Sequence, residues 1–166
     1  MSVAQNIAAI RTHIPAGVTL LCVSKFHPAE MIAEAYSAGE RDFGESHVQE
    51  LVRKHDLLPK DIRWHMIGHL QTNKVRAIVP FVYLIHSVDS QHLLAVIQRE
   101  AARINVVVNV LLEVHVAREE TKSGFTPDEL QALLDSEVLS QMPNIHVEGI
   151  MGMATNTDDT AEIQRC

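Results

Sequence analysis

Apolar residues fall in short runs along the chain, and the segments between them place their apolar positions at helical spacing. Six runs predict strands: residues 19–25 (TLLCVSK), 42–46 (DFGES), 63–68 (RWHMIG), 84–90 (LIHSVDS), 106–116 (VVVNVLLEVHV) and 146–154 (HVEGIMGMA). The first five begin about 21 to 23 residues apart, the length that a strand, a loop and a crossover helix occupy together. Several are apolar almost throughout, as parallel strands covered on both faces must be. Between them, Leu93, Ile97, Ala101 and Ile104 mark one buried stripe of a helix. Three capping boxes predict helix starts: Ser2 with Gln5 ahead of Ile7 and Ile10, Ser46 with Gln49, and Thr126 with Glu129. Pro127 suits the first helical position of the last, with Leu130, Leu133 and Leu134 as its apolar face.

The order is α(βα)n, with no linker or low-complexity segment, so residues 1–166 are expected to form one α/β domain. A closed (β/α)8 barrel needs eight strands, usually in about 250 residues. About six of eight are present, so the expectation is a TIM-barrel-type fold incomplete at the C-terminus, with an open sheet as the other solution. Residues 157–166 read as a helix just begun, which makes a fragment the natural expectation.

Composition narrows the function. Lys and Arg number 14 against 21 Asp and Glu, a formal charge of −7, which disfavours a general nucleic-acid binder. No apolar run reaches the roughly 18 residues of a membrane span, and no secretory signal is visible. Cys22 lies in an apolar run and Cys166 is the last residue, so no disulfide framework is expected. A cytoplasmic protein is the reading.

Ligands of parallel α/β folds bind at the C-terminal ends of strands. Those ends carry Ser24-Lys25, Glu45-Ser46, Gly68-His69, Asp89-Ser90, His115 and Met153-Ala154-Thr155. A lysine closing the first strand would hold its amine at the mouth of the sheet, where partial desolvation lowers its pKa and suits it to imine formation. The ordinary alternative is a lysine reaching into solvent. His65 and His69 are four apart and could pair on a metal with His47, His86 or His115, but the spacing fits no zinc pattern, and core or loop histidines explain them better. The turn Gly68–Lys74 could hold an anion on free backbone N–H groups. The loop 119–125 could be a lid or a solvated connection. Met151 and Met153 are either core or a soft surface for a flat heteroaromatic ring.

Taken in order, these strand ends resemble a family. Val23-Ser24-Lys25 with Pro28, Phe43-Gly44-Glu45-Ser46-His47-Val48-Gln49-Glu50, and the run from Trp64 to Lys74 (WHMIGHLQTNK) are similar to the pyridoxal phosphate homeostasis proteins. So are Ile85 to Ser90 (IHSVDS), Glu119 to Phe125 (EETKSGF) and Gly149 to Ala154 (GIMGMA). The resemblance implies the alanine-racemase N-terminal-like (β/α)8 barrel, and pyridoxal 5′-phosphate (PLP) held as a reversible imine on Lys25. It further implies Ser46, His65, Ile67, Ser87, Met151 and Met153 around the cofactor, no metal, and a protein that buffers PLP or delivers it through transient contact with PLP-dependent apo-enzymes rather than one with a defined catalysis. Two other functions stand beside it: a PLP-dependent amino-acid racemase-like enzyme, and a truncated barrel scaffold with an impaired cofactor site. Three positions depart from the pattern. Ser46 stands where Asn is common and could serve only as a helix cap, His47 where many relatives carry a larger or basic side chain, and Met66 where Phe is frequent. The larger departure is that the family's last two strands, with most of its phosphate cup, are missing. The expected consequence is imine formation with PLP affinity weakened by orders of magnitude, since two or three charge-assisted hydrogen bonds of roughly 1.5–3 kcal/mol each are lost.

Overall fold

A computed structural model of the chain describes residues 2–116, 123–153 and 157–160. The predicted lid segment 119–122, Ala154 and Thr155 at the last strand end, and most of the helix predicted in 157–166 lie outside those residues.

Six strands form one parallel sheet in sequential order: β1 (Cys22–Val23), β2 (Asp42–Glu45), β3 (Arg63–Met66), β4 (Val82–Val88), β5 (Val108–Val114) and β6 (Ile145–Gly152). Sequential parallel order is that of a (β/α) barrel wall, and here the wall is open, with β1 and β6 at its edges. The helices are α1 (Val3–Arg11), α2 (Ala29–Ser37), α3 (Val48–Leu57), α4 (Val75–Ile78), α5 (Gln91–Arg103) and α6 (Pro127–Asp135). The core lies between sheet and helices. Phe43, Trp64, Met66, Ile85, Val110 and Leu112 point outward from the strands onto Leu51, Val75, Ile78, Leu94, Ile97 and Leu133, all of them buried. Burying each such side chain contributes about 1.5–3 kcal/mol.

Two of the three predicted capping boxes form. The Ser2 side chain accepts from the Gln5 amide and the Thr126 side chain from that of Glu129, and each glutamine or glutamate reaches back to its cap. The third does not. His47 is the N-cap of α3 and caps with no side chain, because the Leu51 amide donates to the His47 carbonyl and so leaves Ser46 one position too early. The predicted helical stripes are also narrower than expected. Ile10, Ile104 and Leu134 are exposed, while Ile7, Leu93, Ile97, Ala101 and Leu133 are buried.

The first strand is much shorter than the run 19–25. Among the described residues only β2 pairs with it, with Cys22 opposite Phe43 and Val23 opposite Gly44, so Thr19 and Leu20 run past the first residue of β2. Lys25 therefore lies in the turn after β1 rather than at its last rung.

Candidate functional site

A cavity of about 350 Å³ opens at the C-terminal ends of the strands. Each strand contributes to its wall at the point where the ladder stops. Lys25 comes from the turn after β1, Ser46 follows β2, Ile67 follows β3, Ser87 sits near the end of β4, and Met151 and Met153 come from the end of β6. The structure thus brings six of the seven predicted site residues to one cavity. It lies within the roughly 300–1,000 Å³ range of small-molecule sites.

Two local features shape the rim. A Cβ on Gly68 would lie 2.4 Å from the Ser46 carbonyl oxygen, so the ends of β2 and β3 approach this closely only because residue 68 is glycine. The Ser87 hydroxyl then donates to the Gly68 carbonyl at 2.6 Å, tying β4 to the same turn. On the far side, the chain returning after β5 is stitched to it. The His115 amide donates to the Phe125 carbonyl and the Phe125 amide to the Glu113 carbonyl, with Gly124 between them at φ +129°.

Lys25 is exposed on this wall, and no described residue pairs with its ammonium. The partial desolvation expected of a lysine closing the strand is not seen at this exposed turn.

His65 is the predicted residue that the cavity does not receive. It lies on the inner face of β3 two residues before Ile67, about 6–7 Å lower along the strand. There it borders a second cavity, of about 240 Å³, at the N-terminal ends. Its Nε2 lies 3.2 Å from Asp42 Oδ1 and its Nδ1 2.9 Å from His86 Nε2, while Arg63 Nε donates to the same Asp42 oxygen at 2.6 Å. The Arg63 hydrogen bond and the His65 contact hold the Asp42 carboxyl below its ordinary range, although burial pushes the other way. Burial lowers His65 despite Asp42 beside it, and burial together with the His65 charge lowers His86 to about 4.

Beyond the residues expected around the cofactor, the wall holds His69 and His115, both read as strand-end candidates, and Glu113, Val114, Val116 and Ser123. Glu113 is the most consequential. Burial and the charge of Asp89 push its carboxyl up, against the opposing influence of His69, Ser123 and His115. It was findable, since an acid among the apolar residues of VVVNVLLEV shares the inner face with Asn109. His69 carries its own partner, with Nδ1 3.2 Å from Asp89 Oδ2. The wall therefore presents, among the described residues, one unpaired amine, a carboxyl whose pKa is raised, serine hydroxyls and two thioethers.

Over residues 1–165 the chain matches the family described as alanine racemase, N-terminal domain. It is 40 % identical over 146 residues to the pyridoxal phosphate homeostasis protein of Aquifex aeolicus, spanning 87 % of this chain but 63 % of that protein's length. It is 36 % identical over 171 residues to the pyridoxal phosphate homeostasis protein of Pseudomonas aeruginosa, spanning 96 % of this chain and 74 % of the relative. Among solved structures, PipY of Synechococcus elongatus PCC7942 without PLP superposes with a TM-score of 0.92 at 38 % identity, over 98 % of this chain and 76 % of PipY. PipY with PLP bound superposes with a TM-score of 0.87 at 37 % identity and the same coverage of both chains. Alanine racemase from E. faecalis, at 18 % identity and a TM-score of 0.76, shares the fold.

Proposed function

The chain belongs to the alanine racemase N-terminal-domain family and, within it, to the pyridoxal phosphate homeostasis proteins, and we propose that it binds PLP reversibly through Lys25 in the cytoplasm, storing the cofactor and passing it by transient contact to apo-enzymes without a turnover of its own. The observation that supports this most is the unpaired amine of Lys25 on the wall of the strand-end cavity, beside Ser46, Ile67, Ser87 and Met151. The residues fit the group: an amine free of ion pairs, apolar and thioether surface for a flat ring, and hydroxyls for its polar substituents. When bound, PLP would supply an aldehyde carbon to which a neutral lysine amine bonds as C=N with loss of one water, and on which a second amine can take the lysine's place, returning the lysine as a free amine.

The chain's own part is to orient and to expose. Gly68 and the Ser87 bond fix the rim on which the ring would rest. Lys25, exposed in the turn after β1, is within reach of an incoming amine, as release to a recipient requires. Glu113 supports the second reading, a racemase-like enzyme, because a half-buried carboxyl that holds its proton to higher pH can serve as an acid or base.

Titration of the chain with PLP is expected to produce an absorbance band near the visible that borohydride fixes to the protein, and Lys25→Ala is expected to abolish it while the circular dichroism stays unchanged. A band of equal strength in Lys25→Ala would refute the reading. Racemisation or transamination of amino acids above the rate of free PLP would favour the enzyme.

A further inference from the structure

Lys54, on the inner side of α3, is wholly buried. Its ammonium donates to three acceptors: the Ser24 carbonyl at 2.8 Å, Glu45 Oε1 at 2.8 Å and Glu50 Oε1 at 2.7 Å. All three of its protons are therefore used. The cluster extends on both sides. The Ser24 hydroxyl donates to Glu45 Oε1 at 2.6 Å, and the Phe26 amide donates to Glu50 Oε1 at 2.9 Å.

The two backbone groups so held, the Ser24 carbonyl and the Phe26 amide, bracket Lys25. The turn itself is closed by the His27 amide donating to the Ser24 carbonyl at 3.1 Å, which puts Lys25 and Phe26 at its centre. Phe26 adopts φ +66° with its ring 75 % exposed. That conformation is ordinarily left to glycine or asparagine at this turn position. A bulky residue stays there only where its surroundings over-determine it, and the mostly exposed ring meets the His47 ring in a tilted contact, 5.7 Å between centroids. The stronger restraint is the half-buried Glu50 carboxylate, which accepts from the Phe26 amide. Pure stability would not call for this arrangement, because a buried ion cluster is seldom more stable than apolar residues of the same volume. Glu45 Oε2 is moreover left buried with no hydrogen-bond partner.

We propose that Glu45, Glu50 and Lys54 form a clamp behind the sheet that fixes the backbone on both sides of Lys25, and so hold its amine on the cavity wall; they are positioning residues. The proposal rests on the assignment of Lys25 as the PLP-bonding residue. The clamp works through the sheet: β2 supplies Glu45 on its outer face, α3 supplies Glu50 and Lys54, and the turn after β1 is the part that is held. Burial opposes the charge on Glu50, but the hydrogen bonds from Lys54 and the Phe26 amide and the charges of Lys54 and Arg53 outweigh it and keep the carboxyl below its usual range.

The test uses the full chain, PLP as the probe, and two readouts. One is the rate at which PLP and borohydride fix a pyridoxyl group on Lys25, followed by peptide mass. The other, which needs no cofactor, is amide hydrogen exchange at Phe26. Glu50→Ala removes the acceptor of the Phe26 amide while Lys54 keeps Ser24 and Glu45. It is expected to slow fixation on Lys25 at least tenfold and to speed exchange at Phe26 at least tenfold, with the thermal midpoint within a few degrees of the parent. Glu50→Gln, which restores an acceptor of the same reach, is expected to recover most of both. Parent-like fixation in Glu50→Ala would overturn the clamp, as would an unprotected Phe26 amide in the parent chain, a result that needs no variant to fold. Lys25→Ala keeps the two ideas apart: if it fixes as much PLP as the parent, the assignment of Lys25 has failed, whereas if it loses fixation and Glu50→Ala does not, only the clamp has.

Discussion

The inner face of the strand wall carries polar residues at both ends, and the two ends treat them differently. At the N-terminal ends, Asp42, Arg63, His65 and His86 are partnered with one another across β2, β3 and β4. At the C-terminal ends, Lys25 reaches the cavity with no described partner, while the polar atoms that stabilise its turn come from the opposite face of the sheet through Glu45, Glu50 and Lys54. A polar group satisfied by its neighbours on the same face contributes stability and has nothing left to offer a ligand. One whose backbone is held from behind stays in place with its side chain available. The difference explains how an exposed turn can hold a nucleophile in place on the cavity wall.

The contrast can be broken most forcefully at Asp42. Asp42→Ala leaves the Arg63 guanidinium and the His65 imidazole without their shared acceptor, and is expected to destabilise the fold by about 2–3 kcal/mol in urea unfolding. PLP fixation per folded molecule should stay within twofold of the parent. A selective loss of fixation would show that the lower end serves the cofactor directly. Gly68→Ala acts at the upper end. Its methyl would meet the Ser46 backbone, which cannot give way as a flexible side chain can, so about 1–3 kcal/mol of strain is expected, together with roughly tenfold weaker PLP fixation as the rim shifts. Equal fixation would mean that the rim does not touch the cofactor.

The smallest effect expected is in pH dependence. His86 is lowered to about 4 by burial and by the His65 charge, against about 6.5 in the unfolded chain. Below pH 6.5 the unfolded state binds a proton that the folded state refuses, so this contribution to stability is complete above pH 6.5 and falls away as pH drops toward 4. Asp42, lowered from its ordinary value, adds a further loss only at more acidic pH. Urea midpoints at pH 7, 6 and 5 should fall in the parent chain and fall less in His86→Gln. An unchanged slope in that variant would remove His86 from the account.

Much of this was legible before any coordinates. The six strands could be read because several are apolar nearly throughout, as parallel strands covered on both faces are, and because the first five recur about 21 to 23 residues apart; Lys25 stood out as a charge directly after the LLCVS run. What periodicity does not carry is depth along the inner face. His65 and Ile67 share that face, yet only Ile67 reaches the upper cavity. Register irregularities at Trp64/His65, Ile85/Val88 and Val110/Leu111 shift the layers by amounts that spacing alone does not reveal. Lys54 was hidden for a different reason. With Glu50 four residues earlier it has the spacing of an ordinary surface ion pair, and only the packing of α3 over Glu45 and Ser24 makes it the buried centre of a cluster. Ser46 was misread as a cap because its sequence satisfies the capping rule one residue before the helix begins.

The most direct measurement is competitive fixation on the parent chain with less than one equivalent of PLP, borohydride reduction and peptide mapping of every lysine. The account expects the pyridoxyl group chiefly on Lys25, ahead of Lys122, exposed Lys60 and half-buried Lys74, with none on Lys54. Labelling of Lys25, Lys60 and Lys74 in equal measure would contradict it, since the amine on the cavity wall would then be no different from any lysine in solvent.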